Sequence, residues 1–93
     1  MPVSKVAVIG AGTMGSGIAQ VCAQVGWETR LYDTVSSALE DGRNRIEDFW
    51  GRGIAKGKTT IEQKNSWSEN LSYSVNLTEA VSDADLVVEA VPE

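Results

Sequence analysis

The chain predicts an α/β fold with a parallel sheet. Three observations carry that expectation. A short apolar run, Lys5-Val6-Ala7-Val8-Ile9, leads directly into Gly10-Ala11-Gly12-Thr13-Met14-Gly15. A helical pattern opens behind the last glycine, and an acid, Asp33, closes the next strand-like run eighteen residues on. G-x-G-x-x-G in a loop is weak evidence, but between a strand and a helix it marks a dinucleotide-binding turn. Gly10 permits the tight turn, Gly12 lets backbone approach a pyrophosphate, and Gly15 lets the helix lie close on the strand. The free N–H groups and positive dipole end of that helix then face the anion.

The elements follow in order. Val3 to Ile9 reads as the first strand, rich in β-branched residues. Thr13 to about Val25 reads as a helix whose inner face carries Ile18, Cys22 and Val25, with Ala19 and Val21 beside them. Cys22 is thereby expected in the core. Gly17 is expected where the helix lies tight on the strand, and Gly26 is the expected C-terminal stop. Glu28 to Asp33 is the second strand. A carboxylate at its end is placed to accept hydrogen bonds from the adenosine ribose hydroxyls, and it would repel a 2′-phosphate, which favours NAD over NADP. Arg30 lies inside the strand rather than after the acid, where a phosphate clamp would be expected.

A long helical pattern begins near Val35, with Leu39, Ile46, Phe49 and Trp50 as an apolar stripe expected to pack in the core. Gly51, Gly53 and Gly57 are expected to break it, and Lys56-Gly57-Lys58-Thr59-Thr60 reads as a basic turn. Thr60 with Gln63 three residues on forms a capping-box signature for a short helix ending before Ser66. Asn70 to Val75 is the third strand, Thr78 to Val81 a brief helix, and Asp85 to Val91 an almost wholly apolar fourth strand.

Composition bounds the function. Ninety-three residues hold one small domain, less than the two β-α-β-α-β halves of a complete dinucleotide-binding domain. A net charge of −5 argues against nucleic acid and acidic membrane surfaces, though not against a cofactor held by backbone and helix dipole. No apolar run reaches the length of a membrane span, and the N-terminus enters a strand within a few residues, so the expected compartment is the cytoplasm or an organelle matrix. A single cysteine excludes an internal disulfide, and no metal-ligand cluster stands out. Histidine is absent.

Three stretches are more specific than the glycines. Gly10 through Gln20 in the order Gly-Ala-Gly-Thr-Met-Gly-Ser-Gly-Ile-Ala-Gln resembles the opening of the L-3-hydroxyacyl-CoA dehydrogenases. So do Leu31-Tyr32-Asp33 and the ending Asp83-Ala84-Asp85-Leu86-Val87-Val88-Glu89-Ala90-Val91-Pro92-Glu93. The turn at Lys56-Gly57-Lys58 is similar to that family's helical hairpin between strands two and three. The resemblance covers the whole chain. It implies the N-terminal portion of a Rossmann-type doubly wound sheet, strand order 3-2-1-4, with the rest of the NAD domain and a dimerising C-terminal helical domain outside residues 1–93. It also implies pyrophosphate contacts at Gly10, Ala11, Gly12, Thr13, Met14 and Gly15, ribose at Asp33, and cofactor contacts from Ala90, Val91 and Glu93. Lys56 matches a lysine that helps hold the CoA part of the substrate. A family serine one helical segment earlier stands here as Phe49.

The family's reaction moves hydride between the 3-hydroxyl carbon and NAD while a histidine paired with a glutamate takes the proton. Both lie beyond the fourth strand in the family. General acid–base work needs a group titrating near neutrality within reach of the substrate, and this chain offers no catalytic residue of that kind. It is expected to be inactive alone. Two other readings stay open at this level: a non-catalytic module sensing NADH against NAD, and a dehydrogenase of another 3-hydroxy acid, such as carnitine or a sugar acid. The fourth strand is expected at an exposed apolar edge, giving a marginal monomer that pairs with itself.

Overall fold

The computed structural model describes residues 4–90. Four strands, β1 (Lys5–Ile9), β2 (Glu28–Tyr32), β3 (Leu71–Ser74) and β4 (Leu86–Glu89), form one parallel sheet in the order β3-β2-β1-β4. This is the expected order. The pairs Val8↔Leu31, Leu31↔Tyr73 and Val8↔Val88 set the register across it. Three helices, α1 (Thr13–Gln24), α2 (Ser36–Ala55) and α3 (Ile61–Glu69), pack on one face, and the short α4 (Leu77–Val81) lies on the other. The alternation along β2 shows the division: Leu31 points into the core under α1 and α2, while the Arg30 guanidinium donates to the Glu79 carbonyl of α4.

The core lies between the sheet and α1–α2. Val6, Val8 and Leu31 of the strands meet Ala19, Cys22 and Ala23 of α1 and Leu39, Ile46 and Trp50 of α2. Cys22 is buried, as its spacing predicts, and burial pushes its thiol pKa up, which suits a packing residue and not a nucleophile. Helix α1 presents small residues, Gly15, Ala19 and Ala23, at i, i+4, i+8, so its axis comes close to the strands. Val21 and Val25 are exposed, contrary to expectation; they fall off this small-residue line, and Val25 is already the C-cap. Gly26, at φ 97°, closes the helix: its N–H donates to the Ala23 carbonyl, and the Trp27 N–H donates to that of Cys22. A Cβ on Gly17 would meet nothing within 4 Å, so tight packing does not account for this glycine.

Helix α2 runs through Gly51 and Gly53 to Ala55 and stops only at Gly57, φ 73°, in a second turn of the same kind. Two interior glycines cost about 1 kcal/mol each relative to alanine. Burial of Leu39, Ile46 and Trp50 outweighs that, and Gly53 leaves room for Thr59, whose Oγ1 lies 2.7 Å from where a Cβ would sit. Phe49 is not in the core; it is 54% exposed at the margin of the stripe. The capping box at Thr60 and Gln63 forms as predicted. Helix α3 continues past Ser66 to Glu69, because Trp67 tilts against Trp50 at 5.7 Å and the Asn70 amide donates to the Ala23 carbonyl. The third and fourth strands are shorter at both ends than the apolar runs suggest. Val3, expected in the first strand, and Val91, expected in the fourth, lie outside the described residues.

Among the described residues β4 pairs with β1 alone, and Leu86 and Val87 are exposed at this edge. Its start is tied down electrostatically. Asp85 accepts from the Ser4 and Lys5 N–H groups, while Asp83 pairs with Lys5 (3.0 Å) and with Arg30. Arg30 also reaches Glu28. It is therefore committed to the α4 side of the sheet.

Candidate functional site: the glycine turn at the carboxyl end of the sheet

The parallel strands all end on one side, and there β1 turns into α1. Gly10 takes φ 108°, which an L side chain rarely adopts, and its N–H donates to the Tyr32 carbonyl at 2.8 Å. Gly15 is required by contact: a Cβ there would stand 1.6 Å from the Gly10 carbonyl oxygen. Gly12 differs from both. Its φ of −71° suits any residue, and a Cβ on it would meet no atom within 4 Å. Neither backbone angle nor contact within the fold requires a glycine at 12, and the space beside it is open.

Gly12 is also the N-cap of α1, and no side chain caps that helix. The first intrahelical bond runs from the Ser16 N–H to the Gly12 carbonyl, so the N–H groups of Thr13, Met14 and Gly15 precede the ladder. Met14 is exposed. An open space at the positive end of a helix, edged by free N–H groups, accepts an anion such as a pyrophosphate.

Asp33 stands beside this turn. Its Oδ2 accepts from the Ala11 N–H at 3.0 Å and its Oδ1 from the Val35 N–H at 2.9 Å. The carboxylate thus turns the chain into α2 and holds the glycine turn at once. Each oxygen keeps a second acceptor site for a hydroxyl. With Ile9, Gly10, Tyr32 and Thr34 it lines a small cleft at the sheet end. Ala90 closes the arrangement from β4: it is 5% exposed, its N–H donates to the Ile9 carbonyl, and its Cβ lies 3.6 Å from the position a Gly15 Cβ would take. Gly10, Ala11, Gly12, Thr13, Met14, Gly15, Asp33 and Ala90 therefore converge. Val91 and Glu93 lie outside the described residues.

Lys56 is elsewhere. It caps α2 and lines an open groove with Phe49, Arg52, Gly53, Lys58 and Thr59. Arg45 and Gly42, which sequence reasoning missed, belong to the glycine turn. The Arg45 Nη1 donates to the Ala11 carbonyl at 3.3 Å, and a Cβ on Gly42 would stand 2.9 Å from that same oxygen. The signal for Gly42 was available: a glycine falls on the buried stripe, three residues after Leu39 and four before Ile46. Among the described residues no group of three or more His, Cys, Asp or Glu side chains could hold a metal ion, and no helix is long and apolar enough to cross a membrane.

Comparison with known proteins agrees with this geometry. The family model described as "3-hydroxyacyl-CoA dehydrogenase, NAD binding domain" matches residues 5–93. A probable 3-hydroxybutyryl-CoA dehydrogenase of Bacillus subtilis is 41% identical over 93 residues, covering 100% of this chain and 32% of that protein. The crystal structure of Mycobacterium tuberculosis FadB2 superposes with a TM-score of 0.95 at 36% identity, covering 100% of this chain and 32% of that one. The crystal structure of 3-hydroxybutyryl-CoA dehydrogenase from Escherichia coli gives a TM-score of 0.93 at 38% identity, over 100% of this chain and 20% of that one. The chain spans about a third of the length of the curated relatives it matches. By its motif, its sheet order and these matches, it belongs to the NAD-binding domain family of the 3-hydroxyacyl-CoA dehydrogenases.

Proposed function

We propose that this chain is the cofactor-binding part of an NAD-dependent dehydrogenase that interconverts L-3-hydroxyacyl-CoA and 3-oxoacyl-CoA. The observation that carries the reading is the unneeded glycine. Gly12 leaves an open space at an uncapped helix start. Thr13, Met14 and Gly15 present N–H groups to a pyrophosphate, Gly10 and Gly15 shape the turn, and Ala11 supports it. Asp33 takes the adenosine ribose hydroxyls with its remaining acceptor sites and disfavours a 2′-phosphate, so NAD is selected over NADP. Arg30, bound to Asp83 and Glu28, offers no clamp for such a phosphate. Ala90 packs under the cofactor, and Val91 and Glu93 contribute beyond it.

The cofactor, when bound, accepts or gives the hydride. This chain's part is to bind and orient it; residues 1–93 hold no histidine, and the acid–base step falls to residues outside them. The rest of the NAD domain and a helical domain that dimerises complete the protein in this reading. Lys56 in its open groove meets the CoA part of the substrate, with Phe49 beside it where the family carries a serine. The cytoplasm or an organelle matrix is the compartment that fits acyl-CoA metabolism.

The test is NADH oxidation driven by acetoacetyl-CoA in the full-length protein, followed by loss of cofactor absorbance, with NADPH as control. Rapid oxidation with NADH alone is expected. Binding of NADH without turnover on acetoacetyl-CoA would reject the acyl-CoA substrate in favour of another 3-hydroxy acid or a cofactor-sensing module. Equal turnover with NADPH would reject the role given to Asp33.

A further inference from the structure

Ala11 is the one residue of the glycine turn whose two backbone polar groups are both held by side chains. Asp33 accepts its N–H, and Arg45 donates to its carbonyl. The residue itself is 1% exposed, and Gly42 brings α2 against it: a Cβ on Gly42 would stand 3.4 Å from the Ala11 Cβ as well as 2.9 Å from its oxygen. The turn that must keep its N–H groups aimed at a pyrophosphate is thus gripped from two elements, the end of β2 and the third turn of α2.

The Arg45 side chain has capacity to spare. A guanidinium carries five donors, and one is used on Ala11. Among the described residues Arg45 makes no ion pair; the nearby Asp48 pairs with Arg52 instead. Arg45 also lines a groove with Thr13 and Ser16 of the first turn of α1, in which Asp48 and Arg52 also take part. From these positions we propose that Arg45 is a positioning residue of the cofactor site. It fixes the glycine turn through the Ala11 carbonyl and adds the cationic charge that the turn itself lacks beside the pyrophosphate. The proposal rests on the cofactor reading above and names a residue outside the glycine motif that completes it. It also makes α2 part of the cofactor site, on the same helix whose far end carries Lys56, about 16 Å further along its axis.

The test compares the full chain with Arg45→Gln and Arg45→Lys, using adenosine, ADP and NAD as probes in chemical-shift titrations. Glutamine keeps a donor for the Ala11 carbonyl and loses the charge; lysine keeps the charge and loses the fork. Arg45→Gln is expected to weaken ADP and NAD about tenfold and adenosine not at all, the ratio that one charge-assisted contact supplies. Arg45→Lys is expected to recover most of that loss. Hydrogen exchange at the Ala11 amide, whose N–H Asp33 holds, reads how often the turn opens and should quicken in Arg45→Lys as the contact to the Ala11 carbonyl weakens. Unchanged ADP affinity in both variants would overturn the proposal. So would an equal loss for adenosine and ADP, or a fall in thermal stability that accounts for the loss, since either marks a packing role. A parent chain that binds neither ADP nor NAD would overturn the cofactor reading itself, a result distinct from a parent that binds and variants that do not differ.

Discussion

Alanine at Gly15 and alanine at Gly12 are the same chemical change three residues apart, and the structure gives them opposite consequences. At Gly15 the new Cβ would lie 1.6 Å from the Gly10 carbonyl oxygen. Real Cβ atoms keep at least 3.0 Å, so helix and turn must separate by about 1.4 Å (3.0 less 1.6). The obstacle is backbone on the other side of a tight turn, and it has no flexible end to give way. Overpacking of this kind costs about 1–3 kcal/mol or more, against which alanine in a helix regains about 1 kcal/mol. A net loss of about 2 kcal/mol lowers Tm by roughly 8–16 °C in a domain of this size. At Gly12 no atom lies within 4 Å and φ is −71°. Alanine there removes unfolded-state freedom, worth about 0.4–1 kcal/mol, and gives up the preference for glycine over alanine at an N-cap, worth about 1 kcal/mol, so the two nearly cancel. Yet its methyl occupies the approach of the pyrophosphate, so affinity for NAD and ADP should fall at least about a hundredfold.

Thermal unfolding followed by circular dichroism, with titration calorimetry for ADP, separates the two. Gly15→Ala is expected to lose stability, Gly12→Ala to keep it within about 1 kcal/mol and to lose the ligand. A Gly12→Ala chain that melts as low as Gly15→Ala, or that binds ADP as the parent does, would refute the inference that the space at Gly12 exists for a ligand.

Three further outcomes follow from the packing and charge. Trp50 is 2% exposed, tilts on Trp67 and donates from Nε1 to Gln24, so Trp50→Ala should cost about 3–5 kcal/mol in urea unfolding, and an intact midpoint would place the core elsewhere. Arg30, and then Lys5, hold the Asp83 carboxyl down to about 2. A depressed pKa stabilises the fold fully above the ordinary carboxylate range and ceases to do so as the pH falls through about 2, so the Tm gap between parent and Asp83→Asn should persist at pH 5, narrow from about pH 4 down and be nearly gone near pH 2; a gap of undiminished size at pH 2 would show a contribution other than charge. Leu86 and Val87 are exposed on an edge strand with an open hydrogen-bonding side, so the 93-residue chain should self-associate in light scattering and Val87→Lys should reduce it; a well-behaved parent monomer with sharp unfolding would count against the edge as the cause.

What the sequence announced and what it hid divide along a physical line. Local backbone demands were legible. Gly10 and Gly26 stand where φ is positive, Thr60 and Gln63 cap as spaced, and the period of Val6, Val8 and Leu31 matches a strand. Decisions made by distant partners were not. Phe49 and Trp50 are neighbours on one apolar stripe, and only the position of α1 and Trp67 selects Trp50 for the core. Gly53 reads as a helix breaker until Thr59 folds back against it. The bonds of Asp33 within the fold were also hidden: the strand-end position announces an acceptor, but that its two oxygens take the Ala11 and Val35 N–H groups depends on where the glycine turn and α2 come to lie.

The charge balance explains why the site is built from backbone. The chain carries a net −5, and Asp33, required at the turn, adds a negative group where a dianion is to bind. Side-chain attraction from the whole surface cannot offset that, because exposed charges beyond about 8 Å are screened. The local field must come from close by: the helix start, worth about half a positive charge and effective only over its first turn, and the charge proposed for Arg45. That field works only if the turn is already formed, since a loop that ordered on binding would lose affinity to the entropy of ordering. Fixing Ala11 through Asp33 and Arg45, and pressing Gly15 on Gly10, achieves the order beforehand. The acid proposed to take the ribose thereby also serves as a strut of the glycine turn. Exchanging Asp33 for a residue tolerant of a 2′-phosphate would release the Ala11 N–H, and should lower affinity for both cofactors before it changes the preference between them.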